Sequence, residues 1–278
     1  MATKIDLGGI KDPDMPQSQE DILRIIDGAL NSSGNSSTAA ARLADDLRQF
    51  FIQKESARAA SALLWDLWMV LLDAVRIVPI EHPWHAALVA AIEKLRSAGG
   101  QVVNLEDCKL NWADLPHLAE YIFDKWVDPT DSDDYDTEDL DEWKRFNSFA
   151  SRLLSDDFLA WIALPYWEIR AALEKSPPQD AAAFECKLWV ATEWFTRCGQ
   201  LLYKDISSAE PLDDRELTSI ATGPLCEGVH PRSLERWKFW RSRLTELAST
   251  EPSVVLSDAS RARIAQAIAA IDAVSNST

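Results

Sequence analysis

The segment Glu55–Pro79 constrains the fold more than any other part of the sequence. Its apolar residues go right round the helical wheel instead of forming one stripe. A helix that is hydrophobic all round is either buried on every side or lies in a membrane. Asp66, Asp73 and Arg76 interrupt the segment, so it lacks the apolar run of about 18 residues that a membrane span needs. We therefore expect a central helix that the other helices of the chain enclose.

The composition predicts that its neighbours are helices as well. Of the 278 residues, 47% are hydrophobic and 12 are tryptophans, so the chain can bury a sizeable core. It has only 9 glycines, and β-branched runs bounded by turn signals are almost absent. We predict an all-α protein, a single-domain bundle of roughly nine or ten helices around the central helix at about 55–78. A flexible tail over 1–17 would precede this helical domain, which extends over 18–275.

The charge of the chain restricts its partners. The formal net charge is -17, whereas nucleic-acid binding needs a basic face that displaces counterions from phosphate. Docking to an anionic membrane is disfavoured for the same reason. The first twenty residues contain no apolar signal core, and the four cysteines show no CxxC or metal-finger spacing. These features predict a cytoplasmic protein with reduced thiols.

Prolines mark several predicted boundaries. His82-Pro83 predicts a helix start, because proline is favoured in a first helical turn. Asp114 and Pro116 predict a second start of the same kind, with the helix continuing through Trp126. Pro165 predicts a kink or break in a helical segment over 158–174. The polar stretch after Tyr203 predicts a loop.

A set of scattered aromatic and proline landmarks suggests a family. The landmarks are Trp65, His82-Pro83, Leu115-Pro116, Trp126, Trp143 with Phe149-Ala150, Trp194, Leu202-Tyr203 and Trp237 with Trp240. In these the chain resembles a family of ascomycete fungal proteins of unknown function, which are acidic, intracellular and predicted to be helical. The resemblance covers most of residues 40 to 272. It implies a fungal origin and one helical domain, and it transfers no site residues.

Two carboxylates of the central helix are the first catalytic candidates. Asp66 and Asp73 are seven residues apart, so they project from nearly the same side about two turns apart. Burial among Trp65, Leu67 and Trp68 would raise the pKa of such a carboxylate, as general acids and bases require. The alternative is a structural ion pair, for instance between Asp73 and Arg76 or between Asp66 and an arginine of a neighbouring helix.

The sequence predicts no metal and no cofactor. The acidic run 128–142 lacks the glycine that a calcium-binding EF-hand loop needs at its sixth position, where Asp136 stands. The cluster Glu81–His85 contains two histidines, but Pro83 disturbs their helical spacing and no ExxH pair supports them. We expect His82 to cap a helix, and His85, like His117, to be a surface residue or a lone acid–base group.

The tryptophans leave two functional hypotheses open. Such residues usually anchor a core, but aromatics on several helices can also line an apolar pocket. In the first hypothesis a bundle binds a small apolar molecule and performs cofactor-free acid–base chemistry, such as a cyclisation or isomerisation in fungal secondary metabolism. The catalytic candidates are then Asp66, Asp73, His85 and Glu193, and the ligand-binding candidates are Trp65, Trp68, Trp84, Trp161, Trp189, Trp194 and Trp237. In the second the protein is a non-catalytic interaction module for a protein partner or a second copy of itself.

Overall fold

The described part of the chain is built of helices and the loops that connect them. The structure, a computed structural model, describes residues 5–32, 35–105, 109–132, 134–249 and 255–276. These residues form eleven α-helices and no strand, with two isolated β-bridges. The α-helices are α1 (Gln17–Leu30), α2 (Ser36–Ile52), α3 (Ala57–Ile77), α4 (Pro83–Ala98), α5 (Leu118–Asp124), α6 (Thr137–Leu153), α7 (Ala163–Leu173), α8 (Ala181–Ile206), α9 (Asp214–Ser219), α10 (Leu234–Leu247) and α11 (Asp258–Ser275). The all-α prediction is confirmed.

The chain divides into two compact units. Unit 1 comprises Met1–Asp134 and Asp141–Phe149, and unit 2 comprises Tyr135–Leu140 and Ala150–Thr278. A tail over 1–17 and one domain over 18–275 stay predictions. Within that tail, Leu7 is 2% exposed and Gly8–Ile10 form a 3-10 helix.

Unit 1 is organised around α3, the predicted central helix. Ser56 caps its N-terminus by accepting the N–H of Ala59, and Pro79 follows just after its end. The helix packs against α1, α4 and α5, and α2 packs against α1 and α4. Leu67 and Leu71 of α3 are fully buried, as the all-round apolar pattern predicts. One side of α3 stays partly open, and Trp65 on that side is 38% exposed.

The prolines predicted one helix start correctly and another wrongly. Pro83 begins α4, with His82 as its cap, and Pro165 lies in the first turn of α7, which begins only at Ala163. The start predicted at Asp114–Pro116 is wrong, because α5 begins at Leu118. Its cap residue, His117, has a left-handed backbone with φ of 67°.

Unit 2 is built on α8, its longest helix. This helix packs against α7, α10 and α11, and α10 also contacts α7 and α11. Asp180 caps α8 by accepting the N–H of Ala182. Glu174 and Arg236 form a fully buried ion pair in this unit.

Candidate functional site

Asp66 joins α3 to the first turn of α1. Its carboxylate accepts a hydrogen bond of 2.7 Å from the Ser18 hydroxyl and one of 2.8 Å from the Gln19 amide. Its polar partners in the described chain are therefore neutral groups, and not the arginine of the ion-pair alternative.

Asp73 lies about two turns further along α3 than Asp66 and is half-buried. Burial raises the pKa of this half-buried carboxyl, and the positive charges of Arg76 and Lys125 offset part of the rise. Burial, together with the charge of Asp73, also raises the pKa of Tyr121 to about 12. Burial and the charges of the neighbouring cations therefore act on the pKa of Asp73 in opposite directions.

The two histidines of the cluster 81–85 have separate structural tasks. His82 caps α4 through Nδ1, which accepts the N–H of Trp84 at 3.2 Å, as predicted. His85 is fully buried, its Nε2 lies 3.3 Å from the Arg145 carbonyl oxygen, and its ring is 6.5 Å from that of Phe149. The interior position of His85 differs from the surface alternative.

Glu193 lies between two arginines of unit 2. It accepts hydrogen bonds from Arg197 at 3.1 Å and from Arg263 at 2.8 Å, and thereby links α8 to α11. Burial raises its pKa, but the hydrogen bonds and charges of the two arginines outweigh this, so the pKa is lowered. A carboxylate held in its charged form is suited to structural pairing rather than to proton exchange near neutral pH.

Most of the tryptophan candidates belong to the core. Five are at most 8% exposed, namely Trp68, Trp84, Trp161, Trp194 and Trp237. The indole N–H of Trp237 donates to the Ser275 hydroxyl, as a buried indole requires a partner. Trp65 remains 38% exposed. Trp189 is half-buried, and the guanidinium carbon of Arg263 lies 4.1 Å from its ring centroid.

A pocket of about 250 Å³ lies in unit 2 between α7, the end of α8 and α9. Its lining residues are Ile162, Ala163, Leu212 and Ile220 on the apolar side and Tyr166, Asp205, Arg215, Glu216 and Ser219 on the polar side. An apolar wall with a few convergent polar groups is the usual composition of a small-molecule site.

The polar side of the pocket is organised by one short hydrogen bond. The hydroxyl of Tyr166 donates to Oδ2 of Asp205 at 2.5 Å, and Arg232 lies 3.5 Å from Oδ1. Burial raises the pKa of Tyr166 well above its ordinary value, and the negative charge of Asp205 adds to the rise. The phenol therefore stays protonated at neutral pH and acts as a hydrogen-bond donor.

A buried network fixes the wall of this pocket. The guanidinium of Arg236 donates to the carbonyl oxygen of Ile220 at 2.6 Å and to both carboxylate oxygens of Glu174, at 2.7 and 3.2 Å. Glu174 also accepts the indole N–H of Trp240 and the backbone N–H of Gly223, both at 2.6 Å. Because these groups are paired with one another, the backbone beside the pocket has a defined position before any ligand arrives.

The sequence did not predict this site. The segment that contains α9 was predicted as loop, because a helix of six residues is too short to show a hydrophobic period. One local signal was present, since Asp213 and Glu216 have the spacing of a capping box and form it in the structure. Tyr166 and Asp205 are 39 residues apart in sequence, and no motif links them.

The remaining groups with possible metal or thiol chemistry are the acidic side chains, the histidines and the cysteines. No group of three His, Cys, Asp or Glu side chains lies close enough there to hold a metal ion, and Asp133 of the acidic run is outside the described residues. Cys186, Cys198 and Cys226 are buried and form no disulfide among the described residues, and Cys108 is outside them. Burial raises the pKa of Cys198 to about 12, so its thiol is not a nucleophile at neutral pH.

Within the same described ranges, no helix combines the length and the apolar character that crossing a membrane requires.

The geometry defines an all-helical protein whose unit 2 has a pocket between α7, the end of α8 and α9. A family model described as "Protein of unknown function (DUF3632)" matches residues 68–244, and the chain belongs to this family. The match covers α4 to α9 entirely, together with the C-terminal half of α3 and most of α10, and therefore includes the whole pocket of unit 2. No curated protein and no solved structure matches the chain.

Proposed function

We propose that this protein binds a small, largely apolar molecule in the pocket beside Tyr166 and Asp205. The observation that carries the proposal is the composition of the pocket, in which four aliphatic side chains face a polar side made by a phenol, carboxylates and a guanidinium. Its volume of about 250 Å³ is below the range of about 300–1,000 Å³ that drug-sized ligands occupy, so the ligand is small.

The polar side indicates which group the ligand presents. Tyr166 gives its only hydroxyl proton to Asp205, and the carboxylate retains further lone pairs for a second donor. A hydroxyl or amine on an otherwise apolar molecule would supply that donor.

Binding is favoured over acid–base catalysis at this site. A general acid works best when its pKa lies near the operating pH, whereas the pKa of Tyr166 is raised well above its ordinary value. The cyclisation or isomerisation considered for Asp66, Asp73, His85 and Glu193 therefore has no counterpart here. Two parts of the proposal rest on other grounds: a fungal secondary metabolite as ligand rests on the family resemblance alone, and a cytoplasmic location rests on the sequence features alone.

A second cavity, in unit 1, is less suited to a ligand because the cations in its lining are already in ion pairs. It measures about 280 Å³ and lies beside the N-terminal segment. Both cations of its lining already pair with carboxylates, Lys11 with Glu20 at 3.1 Å and Arg24 with Asp21 at 2.9 Å. A ligand would have to compete with these pairs for the charges, whereas in the pocket of unit 2 the carboxylate of Asp205 keeps lone pairs for a further donor beside Tyr166 and Arg232.

The test fills the pocket and compares a matched surface change. Ala163 begins α7 and lines the pocket, whereas Ala181 begins α8 and is exposed, so Ala163→Leu and Ala181→Leu add the same side chain at the same helical position. A panel of small alcohols and amines is screened by melting temperature and by tryptophan fluorescence. Trp167 contributes to this signal, and its indole N–H donates to the carbonyl oxygen of Ser219 in the pocket wall.

A ligand that binds only the folded state stabilises it by about 2.7 kcal/mol at one hundred times its Kd. We expect this stabilisation in the wild type and in Ala181→Leu, and its loss in Ala163→Leu. If Ala163→Leu binds as the wild type does, the pocket is not the site. If no compound of the panel binds, the non-catalytic interaction module becomes the better hypothesis.

A further inference from the structure

A serine, a histidine and a glutamate of unit 1 are aligned in a way that the small-molecule pocket does not use. The Oγ atom of Ser61, on α3, lies 2.8 Å from Nε2 of His117, which is the cap residue of α5. The other ring nitrogen of His117, Nδ1, lies 3.9 Å from Oε2 of Glu120. The order of groups is that of a nucleophile, a base and an orienting carboxylate, and such contacts are often looser without substrate.

The histidine is held in place at some cost in backbone energy. His117 has φ of 67° and Leu115 has φ of 43°, and a left-handed residue other than glycine costs about 1–3 kcal/mol. The indole N–H of Trp68 fixes the residue between them by donating to the Pro116 carbonyl at 2.7 Å. The ring of Trp65 stacks on the imidazole, with centroids 5.2 Å and planes 19° apart. Strain that surrounding contacts maintain is typical of functional sites.

Solvent reaches this cluster. Ser61 is half-buried, and the side chains of His117 and Glu120 are 25% and 64% exposed. This access distinguishes His117 from His85, which is fully buried. A nucleophile needs such access, because the substrate has to reach its Oγ atom.

We propose that Ser61 is a nucleophile for acyl transfer, with His117 as its general base and Glu120 as a positioning residue. Ser61 Oγ bonds to the carbonyl carbon of an ester while its proton passes to His117 Nε2. The carbon–oxygen bond to the alcohol then breaks, and the alcohol leaves with that proton. Water attacks the acyl-serine, gives one proton to His117 and releases the acid, and the proton returns to Ser61. The sum is ester plus water to acid plus alcohol.

The surroundings indicate an uncharged ester with an apolar group. Trp65 is 38% exposed beside His117, and its ring centroid lies 5.9 Å from that of the buried Tyr121, so the indole of Trp65 offers an apolar surface next to the nucleophile. The net charge of -17 disfavours anionic esters.

The helix start near Ser61 suits the negative charge that develops on the carbonyl oxygen. Helical side chains lean towards the N-terminus, so Ser61 lies over the first turn of α3. The N–H groups of Ala57 and Arg58 in that turn have no helical acceptor, and the Ser56 side chain takes only that of Ala59. Such groups stabilise an oxyanion.

The experiment uses the full chain with a fluorophosphonate probe, which modifies activated serines, and p-nitrophenyl butyrate as the ester. We expect mass spectrometry to find the probe on Ser61 and ester hydrolysis to fall by about 10² or more in Ser61→Ala and His117→Asn. Asparagine is chosen because it tolerates the left-handed backbone and lacks the basic nitrogen. Glu120→Gln should cause a smaller loss.

The matched control is Ser207→Ala, which changes an exposed serine whose hydroxyl donates to helix carbonyls and should leave the rate unchanged. Circular dichroism confirms that each variant is folded, and labelling of the wild type decides the matter even if a variant fails to fold. The proposal is overturned if the probe labels a known serine hydrolase but leaves Ser61 unmodified. It is also overturned if Ser61 is labelled equally fast in His117→Asn. A lower melting temperature for His117→Asn without any labelling would assign the pair to structure alone.

Discussion

Replacing Glu174 by glutamine should destabilise unit 2 by about 3–5 kcal/mol, the usual cost of breaking a buried ion pair from one side. Glu174 and Arg236 are both 0% exposed, and the carboxylate accepts four hydrogen bonds. A glutamine keeps the shape but has only one accepting oxygen, so its amide hydrogens face donors that the second oxygen served. Arg236 keeps its carbonyl partners at Ile220 and Pro231, but its charge is no longer compensated.

A double-mutant cycle separates this network from two independent effects. Arg236→Met alone should cost about as much, since it leaves Glu174 buried without its cation. The double variant should cost clearly less than the sum, because each substitution removes the group that the other leaves unpaired. Equilibrium urea unfolding followed by tryptophan fluorescence measures all four proteins. A loss below about 1 kcal/mol for Glu174→Gln, or costs that simply add, would refute this account of the pair.

Three further changes test other parts of the structure. Leu67→Ala should cost about 2–5 kcal/mol of unfolding free energy, because Leu67 is fully buried on α3, and a loss under about 1 kcal/mol would contradict the enclosure of that helix. Gly223→Ala should lower the melting temperature, because the new Cβ would lie 2.6 Å from the Glu174 carbonyl oxygen, whereas Gly28→Ala in α1 meets nothing within 4 Å and should stabilise slightly. The wild type should lose unfolding free energy relative to Asp73→Asn as pH rises from about 4 to neutral. The reason is that the raised pKa of Asp73 makes the folded wild type hold this proton more tightly than the unfolded chain does, whereas asparagine has no such proton. Urea titrations at several pH values measure that difference, and a difference that does not change with pH would contradict the assignment.

The sequence by itself determined the fold class and the central helix. An apolar pattern that goes right round the wheel is a local property, and with Asp66, Asp73 and Arg76 in the segment it indicates a helix that other helices enclose. The observed α3 (Ala57–Ile77) agrees with the predicted range of about 55–78. The start of α4 at Pro83 was predictable for a similar reason, since proline restricts the backbone whatever surrounds it. The same rule failed at Pro116, where Trp68 holds the carbonyl oxygen and the backbone on both sides is left-handed.

Only the tertiary structure decided which of the many ionisable and aromatic groups lie together. Composition could not distinguish a tryptophan in the core from one at the surface. Trp65 is 38% exposed, whereas Trp68, three residues further along α3, is fully buried. Ser61 meets His117 across 56 residues, just as Tyr166 meets Asp205 across 39. Such contacts depend on how helices pack, because a side chain's neighbours across a helix interface carry no fixed spacing in sequence. Patterns within a helix are therefore visible in the sequence, whereas the sites that several helices build together are not.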